Sequence, residues 1–476
     1  MEPMARLMLK TAGEIGVKSP RTRRRFLRVL RRNARRALDR GGVEASVLAG
    51  WGRIMVRTDE PERAAEILSR VFGLHSASRV DTIPFDDLDD LVAKAAERSR
   101  ERIRGRTFAV RPRRSGEHDF RSQDVAIKLG AALLEDSAGV NLDAPEVEVP
   151  VEIVNDEAHL VLDVTKGPGG LPVGTGGRAL AMFSGGYDSP VATWMTMSRG
   201  TSVELVVFDL GGCAQTDGAL TVAKALADRW APGVEPVAHV VDLLPVVAAL
   251  TQRVEGRLRQ VVLKRAMYRA ATILADERQV DALVTGESIG QASTQTLRNL
   301  AVVERATTYP VLRPLVGMSK EEIMARARDI GTHEASTRVR EYCSITTGPV
   351  ETAARFEEVA DADGEIEESV LRAAVEKRRT VELATWTPGP LPEYVVEEAP
   401  EGVTVIDIRE RDEGSDVGDR RLPFSRLQEW MPQLDPNERY LFVCSVGSRS
   451  ELVAEQLWGR GYEAYCLAGG AHRLRR

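Results

Sequence analysis

The sequence predicts a multidomain α/β protein built around a doubly wound parallel sheet, and three observations predict it. From residue 179 to about 345, short apolar runs alternate with helical patterns: 179–183, 203–209, 237–242, a long helical stretch around 246–277, then 280–285. That alternation is the pattern of parallel strands joined by helical crossovers. The first run leads straight into a glycine turn, Ser184-Gly185-Gly186-Tyr187-Asp188-Ser189, after which Pro190 opens a helix-like segment. Finally, Trp386-Thr387-Pro388-Gly389-Pro390-Leu391-Pro392 resists both helix and sheet, and a fresh strand–helix pattern begins at Val403.

The glycine turn organises the rest. A strand, a glycine-rich turn and a helix N-terminus together make an anion site, because glycines let backbone approach closely and the first-turn N–H groups favour phosphate. No Lys follows the glycines, so the Gly-x-x-x-x-Gly-Lys-Ser/Thr phosphate loop does not fit. A Ser-Gly-Gly turn can also arise in an ordinary loop. Sheets of this kind bind ligands beyond the carboxyl ends of their strands, which is where Asp188, Gly286 and Glu287 are expected. Pro314 to Ile323 puts Lys320 at a capped helix start, where a lysine is electrostatically misplaced unless an anion is near. An exposed surface lysine is the bland alternative.

At 476 residues, with 43% apolar and 29% charged residues, the chain has the composition of a globular protein of three or four domains. The N-terminus lacks a charged region followed by an apolar one, and no apolar run approaches the length of a membrane span. Four cysteines do not make a disulfide scaffold. The expected compartment is cytoplasmic, with no membrane partner.

A net charge of −6 conceals a strongly basic start. Arginines stand at 21, 23, 24, 25, 28, 31, 32, 35, 36 and 40, around a narrow stripe of Leu27, Leu30, Ala34 and Leu38. This is either a solvated helix face or a nucleic-acid footprint, and arginines clustered in an acidic protein favour the second. A second basic segment runs Phe108-Ala109-Val110-Arg111-Pro112-Arg113-Arg114-Ser115-Gly116-Glu117-His118 and leads to a Ser122-capped helix. Residues 149–154 and 158–164 read as a hairpin, with Pro150 expected at a strand start or edge. His118 has no neighbouring His or Cys in sequence and reads as structural or RNA-facing, not as a metal ligand.

Near the C-terminus Cys444 ends an apolar run and heads Cys444-Ser445-Val446-Gly447-Ser448-Arg449-Ser450, with a helix beyond. Backbone N–H groups and a helix start around that sulfur stabilise an anion on it. The alternative is a buried strand-end thiol. Cys213 and Cys466 read as structural. Cys343 reads, on its own, as a loop thiol.

These motifs carry resemblances. The glycine turn resembles the pyrophosphate-binding loop of the PP-loop ATP pyrophosphatases. The pattern from Phe108 to Val125 resembles the THUMP domain, an RNA-binding module of tRNA-modifying enzymes. Cys444, with Ile406-Asp407-Ile408-Arg409 and Leu467-Ala468-Gly469-Gly470, resembles a rhodanese domain, which carries sulfur as a cysteine persulfide. Four residues between Cys444 and Arg449 argue against the five-residue loop of cysteine phosphatases. In this order the modules resemble the tRNA uracil 4-sulfurtransferase family, the 4-thiouridine and thiamine-biosynthesis sulfurtransferases.

The resemblance implies a ferredoxin-like basic segment at 1–60, a THUMP domain at 61–166, a PP-loop domain at 175–385, a linker at 386–400 and a rhodanese-like domain at 401–476. It implies ATP contacts at Met182, Phe183, Ser184, Gly185, Gly186, Ser189, Lys264, Gly286 and Gln295, and catalytic roles for Asp188 and Lys320, with Asp188 holding Mg²⁺. It implies a persulfide on Cys444 and a disulfide between Cys343 and Cys444 during turnover. RNA contacts fall to Arg24, Arg25, Arg111, Arg113, Arg114 and His118. The implied activity is ATP-dependent replacement of O4 by sulfur in a tRNA uridine, at position eight, with AMP and pyrophosphate released. A cysteine desulfurase would reload the carrier, a thiamine-pathway sulfur carrier protein could be a second acceptor, and a homodimer is left open. The alternatives are another PP-loop tRNA-modifying enzyme and a non-catalytic sulfur carrier.

Overall fold

A computed structural model describes residues 5–50, 53–210, 213–339, 351–389, 392–410, 415–444, 447–468 and 470–473. The chain divides into two compact units, one formed mainly by residues up to Gly176 and the other mainly by residues from Gly177 onward.

The first unit is one eight-stranded sheet. Its strands are β1 (Ala5–Thr11), β2 (Ala45–Gly50), β3 (Arg53–Thr58), β4 (Leu74–Pro84), β5 (Thr107–Ser115), β6 (Gly139–Val140), β7 (Val147–Val154) and β8 (Glu157–Lys166). Their order is β2-β3-β1-β4-β8-β7-β5-β6. The first four strands, with the helices Pro20–Arg40 and Pro61–Leu68, make the ferredoxin-like part. β4 is long enough to serve both halves, pairing antiparallel with β1 on one flank and β8 on the other. The expected modules 1–60 and 61–166 therefore share a continuous sheet.

The arginine-rich helix Pro20–Arg40 buries Phe26, Leu30, Asn33, Ala34, Ala37 and Leu38. Phe26, and not Leu27, starts its apolar stripe, so the buried face is wider than the 27/30/34/38 spacing implies. Pro150 also departs from expectation. It lies in the middle of β7, and its position is tolerated because the β8 ladder begins only at Val151.

The second unit holds two sheets. The larger comprises β9 (Arg178–Met182), β10 (Ser202–Asp209), β11 (Val237–Asp242), β12 (Ala282–Val284), β13 (Val311–Leu312) and β14 (Arg379–Glu382), in the order β13-β12-β9-β10-β11-β14. All neighbours are parallel except β14, which runs antiparallel on β11. Order reverses at β9: β10 and β11 extend one way and β12 crosses to the other side. That switch point is where such sheets open a ligand crevice.

Two helical expectations change here. The stretch around 246–277 breaks into Leu244–Arg253 and Arg259–Arg278, because Val254 is extended, Gly256 disfavours a helix interior, and Arg259 Nε caps the Val254 carbonyl at 2.8 Å. The segment 350–385, expected helical throughout, ends in the strand β14.

The C-terminal sheet contains β15 (Val395–Val396), β16 (Thr404–Asp407), β17 (Arg420–Arg421), β18 (Tyr440–Val443) and β19 (Ala464–Leu467), all parallel, in the order β15-β19-β18-β16-β17. Val395–Val396, inside the expected linker, pairs with Cys466–Leu467. Among the described residues no helix is long and apolar enough to cross a membrane.

Candidate active site

The carboxyl end of β9 delivers the glycine turn into the switch point. Phe183 is buried and donates its N–H to the Val206 carbonyl at 2.8 Å, which fixes where the strand stops. Gly185 holds φ of +79°, and a Cβ there would lie 2.6 Å from Ala219 Cα. Only glycine meets both demands. The helix begins at Asp188, two residues before Pro190, and runs to Ser198. Ser189 turns back into the loop, its Oγ accepting from the N–H groups of Ser184 and Gly185, each at 3.2 Å. These amides converge at a helix N-terminus, and the cradle has no room for another side chain. A tight glycine turn closed on a helix N-terminus is an arrangement that suits a phosphate.

Gly286, two residues past the end of β12, backs onto the loop. A Cβ there would come within 2.9 Å of Asp188 Cβ and of the Ser189 nitrogen. The Asp188 carboxylate is held on both oxygens. Lys320 Nζ lies 3.3 Å from Oδ1 and Gln291 Nε2 donates to Oδ2 at 2.7 Å. Lys320 opens the helix Lys320–Ile330, where Ser319 and Glu322 form a capping box, and its ammonium also lies 5.3 Å from the centre of the Tyr187 ring. Gln295 bonds the Ser288 N–H through Oε1 at 3.0 Å and so shapes the second glycine turn.

Beneath the crevice lies a carboxylate that nothing in the spacing announces as a hub. Glu287 is buried and accepts from Lys264 (3.1 Å), Tyr268 (2.8 Å), Thr285 (3.1 Å) and Arg313 (3.0 Å). Burial pushes its acidity down, but the Lys264 charge, the Tyr268 hydrogen bond and Arg313 outweigh that and hold the carboxyl below its ordinary value. Burial and the same carboxylate push the Tyr268 hydroxyl well above its ordinary value. Lys264 thus reaches the site as half of an ion pair.

Sequence reasoning missed Gln291, Tyr268 and Arg313. Tyr268 follows Lys264 by four positions on one helix, so the pair had a helical signal. Gln291 and Arg313 had none. The helix His333–Arg338 was also missed. It braces the turn through Ser336 Oγ to the Gly186 carbonyl (3.4 Å), Thr337 to the Tyr187 hydroxyl (3.2 Å), and the rings of His333 and Tyr187, 5.2 Å apart.

Among the described residues no cluster of three or more His, Cys, Asp or Glu could hold a metal. A single carboxylate at the loop, Asp188, fits Mg²⁺, an ion that takes one or two protein carboxylates and fills its shell from phosphate and water.

Cys444 sits in the C-terminal sheet, fully buried directly after β18. Gly447 N–H donates to its sulfur at 3.1 Å and Ser450 Oγ lies 3.5 Å away, ahead of the helix Ser448–Trp458. Asp407 and Arg409, from the flanking motif, form a buried pair: Arg409 bonds both carboxylate oxygens, at 2.9 and 2.7 Å, and Arg421 adds a third bond at 2.9 Å. Cys466 is a buried strand residue. Cys343 lies outside the described residues.

The RNA-facing expectations divide. Arg24 and Arg113 are exposed and make no ion pair or hydrogen bond among the described residues. Arg25 bonds the Thr175 carbonyl (3.1 Å), and Arg111 bonds Glu148 (3.2 Å) and the Leu142 carbonyl (2.6 Å). His118 Nε2 donates to the Asn155 carbonyl (2.6 Å), which leaves Nδ1 to accept from Arg114 (3.0 Å), while the ring packs against Phe85 and Phe120. In this arrangement His118 ties Arg114 to the β7–β8 turn.

Comparison with known proteins matches three family models along the chain: the ThiI ferredoxin-like domain at residues 7–78, the THUMP domain at 85–163, and thiamine biosynthesis protein (ThiI) at 174–368. A tRNA sulfurtransferase of Desulfurococcus amylolyticus is 37% identical over 99% of this chain and 98% of its own length. Another from Marinobacter nauticus is 34% identical over 96% of this chain and 98% of its own. Among solved structures, a 4-thiouridine synthetase in complex with RNA and bound ATP superposes with a TM-score of 0.69 at 28% identity, covering 79% of this chain and 99% of that one.

Proposed function

The chain belongs to the tRNA sulfurtransferase family, enzymes that transfer sulfur to tRNA, and we propose that it works by adenylating a uridine at C4 and replacing the oxygen with persulfide sulfur. The observation that carries this reading is the glycine cradle at the switch point, with Asp188 held by Lys320 and Gln291 beside it. The related structure with bound ATP supports ATP as the ligand of that cradle.

A carbonyl oxygen is a poor leaving group, so it must first be activated. The turn from Ser184 to Ser189 and the helix N-terminus behind it hold the phosphates, with Met182, Phe183 and Gln295 shaping the edge around them and Lys264 reaching in from Glu287. The uridine O4 attacks the α-phosphorus, pyrophosphate departs, and Lys320 offsets charge developing on the leaving group. Mg²⁺, when bound at Asp188, neutralises phosphate charge. The terminal sulfur of a persulfide on Cys444 then attacks C4 and AMP leaves. Attack of the Cys343 thiolate on Cys444 Sγ breaks the S–S bond, releases 4-thiouridine and forms the Cys343–Cys444 disulfide, which an external thiol reduces.

The C-terminal sheet serves as the rhodanese-like carrier in this scheme, reloaded by a cysteine desulfurase. The target is the uridine at position eight of tRNA. Arg24, Arg25, Arg111, Arg113 and Arg114 belong to the RNA-binding face, three of them also fixed to their own backbone. The same persulfide could pass to a thiamine-pathway acceptor.

In vitro thiolation of unmodified tRNA with ATP tests the scheme, comparing wild type with Cys444→Ser and Cys343→Ser. Both variants lose sulfur transfer from a desulfurase, and free sulfide, which displaces AMP from C4 without forming an S–S bond, restores both. Thiolation by Cys444→Ser at the wild-type rate with the desulfurase as donor would overturn the sulfur relay.

A further inference from the structure

The larger sheet domain carries a second basic feature that the reaction does not use. A cavity of about 350 Å³ opens between the helices Leu297–Glu304 and Phe356–Gly364, lined by Arg298, Arg305, Arg355, Phe356 and Glu357 over a floor of Val302. All three arginines are exposed. Arg298 and Arg355 make no ion pair or hydrogen bond among the described residues. The nearby acids are engaged elsewhere: Glu304 with Arg313, Glu358 with Arg257 and Asp363 with Arg265. Three guanidinium groups therefore face one carboxylate, Glu357.

The site is also built. Arg305 lies over the Phe356 ring at 4.4 Å, and Arg265, fixed in its buried pair with Asp363, lies 5.7 Å from the same ring. A guanidinium stacked on an aromatic face keeps its N–H edge free and pre-oriented for two oxygens of a phosphate. Arg355 precedes Phe356 at a helix start that no side chain caps, so the first-turn amides add positive potential on that side. Leu297, two-thirds exposed, begins the other helix and offers an apolar contact beside the arginines.

We propose that this cavity binds phosphodiester groups of the tRNA backbone, an RNA contact in the sheet domain additional to those of the N-terminal arginines. Exposed arginines around a shallow apolar floor suit a polymer passing across them, with a phosphate on the guanidinium edges and a ribose or base against Leu297 and Phe356. The inference rests on tRNA as substrate and not on the adenylation or persulfide chemistry.

The test is binding of unmodified tRNA to the full chain over a range of salt, with wild type, Arg298→Gln/Arg355→Gln and Arg305→Lys. The double variant should bind about tenfold more weakly, and its salt slope should be shallower by about 1.5, as for two lost phosphate contacts. Arg305→Lys keeps the charge but loses the fork, so it should weaken binding less and leave the salt slope unchanged. A melting temperature equal to wild type shows that the fold is intact, and the single variants Arg298→Gln and Arg355→Gln replace the double if it is not. Unchanged tRNA affinity and slope would overturn the proposal. So would a loss of ATP affinity without a loss of tRNA affinity, which would mark a free-nucleotide pocket. If thiolation chemistry fails while the binding defect stands, only the catalytic scheme falls.

Discussion

Lys320 Nζ lies 3.3 Å from Asp188 Oδ1 although the two residues stand 132 apart in the chain. Each opens a helix, and helix starts repel a lysine and welcome a carboxylate. The pair thus places one charge that suits its helix beside one that does not, and a bound phosphate would compensate the second. Replacing Lys320 with Met should lower tRNA-dependent AMP release about 10²–10³-fold. Its side chain is about one-third exposed, so thermal stability should move by less than about 1 kcal/mol. Stopped-time AMP assays and a melting curve check both parts. A variant that melts early but keeps its rate would make the pair structural.

Gly185 and Gly286 fail for different reasons when given a methyl group. Gly185→Ala meets both a positive φ and the Ala219 backbone, so it should disturb the loop itself and abolish ATP binding. Gly286→Ala presses on Asp188 and the Ser189 nitrogen from the far side. It should retain part of the ATP affinity while losing catalytic rate. Equilibrium ATP binding measured beside AMP release separates the two outcomes.

Glu287 should be the most costly single site beneath the crevice. Glu287→Gln leaves Lys264 and Arg313 without their carboxylate, and breaking a buried pair from one side costs about 3–5 kcal/mol. Tyr268→Phe removes two hydrogen bonds, one to Glu287 and one from Arg313, and should cost about 1–3 kcal/mol. Hydrogen exchange over residues 259–284 under mild urea reads these effects locally, which suits a chain of two units.

Acid should loosen the C-terminal sheet at a definable pH. Burial would raise the Asp407 carboxyl, but its hydrogen bonds to Arg409 and Arg421 bring it down to about 2, against about 3.9 when unfolded. A depressed carboxylate contributes stability above its unfolded value and loses it as pH falls from about 4 to about 2. The contribution at neutral pH is about 2 kcal/mol. Exchange protection of β16 and β18 should therefore fall across that window in wild type. In Asp407→Asn it should start lower and change less.

Local chemistry was the legible part of this protein. The Gly-Gly turn, the capped start at Lys320 and the alternating strands all obey rules that act over a few residues. Asp188 and Gly286 were placed at one sheet edge because each follows a strand. What escaped depends on who meets whom. Gln291 reaches Asp188 over 103 positions, and Arg313 reaches Glu287 from just past the end of β13, so neither leaves a periodic trace. β14 escaped because a four-residue edge strand after two charged helices has too little pattern to stand out. The helix break before Gly256 also rests on a capping contact from Arg259 to the Val254 carbonyl that no propensity encodes.

The short strand β14 anchors the chain to the edge of the larger sheet, and the Trp386 N–H bonds back to Glu382. The next strand along the chain is Val395–Val396 in the C-terminal sheet. About eight residues lie between, enough to span at most about 28 Å. A cysteine on the far side of so short a tether meets its target at an effective concentration that dilution cannot lower. Under the relay proposed above, thiolation per enzyme molecule should therefore stay constant as the enzyme is diluted. It should become concentration-dependent only if the tether is cut.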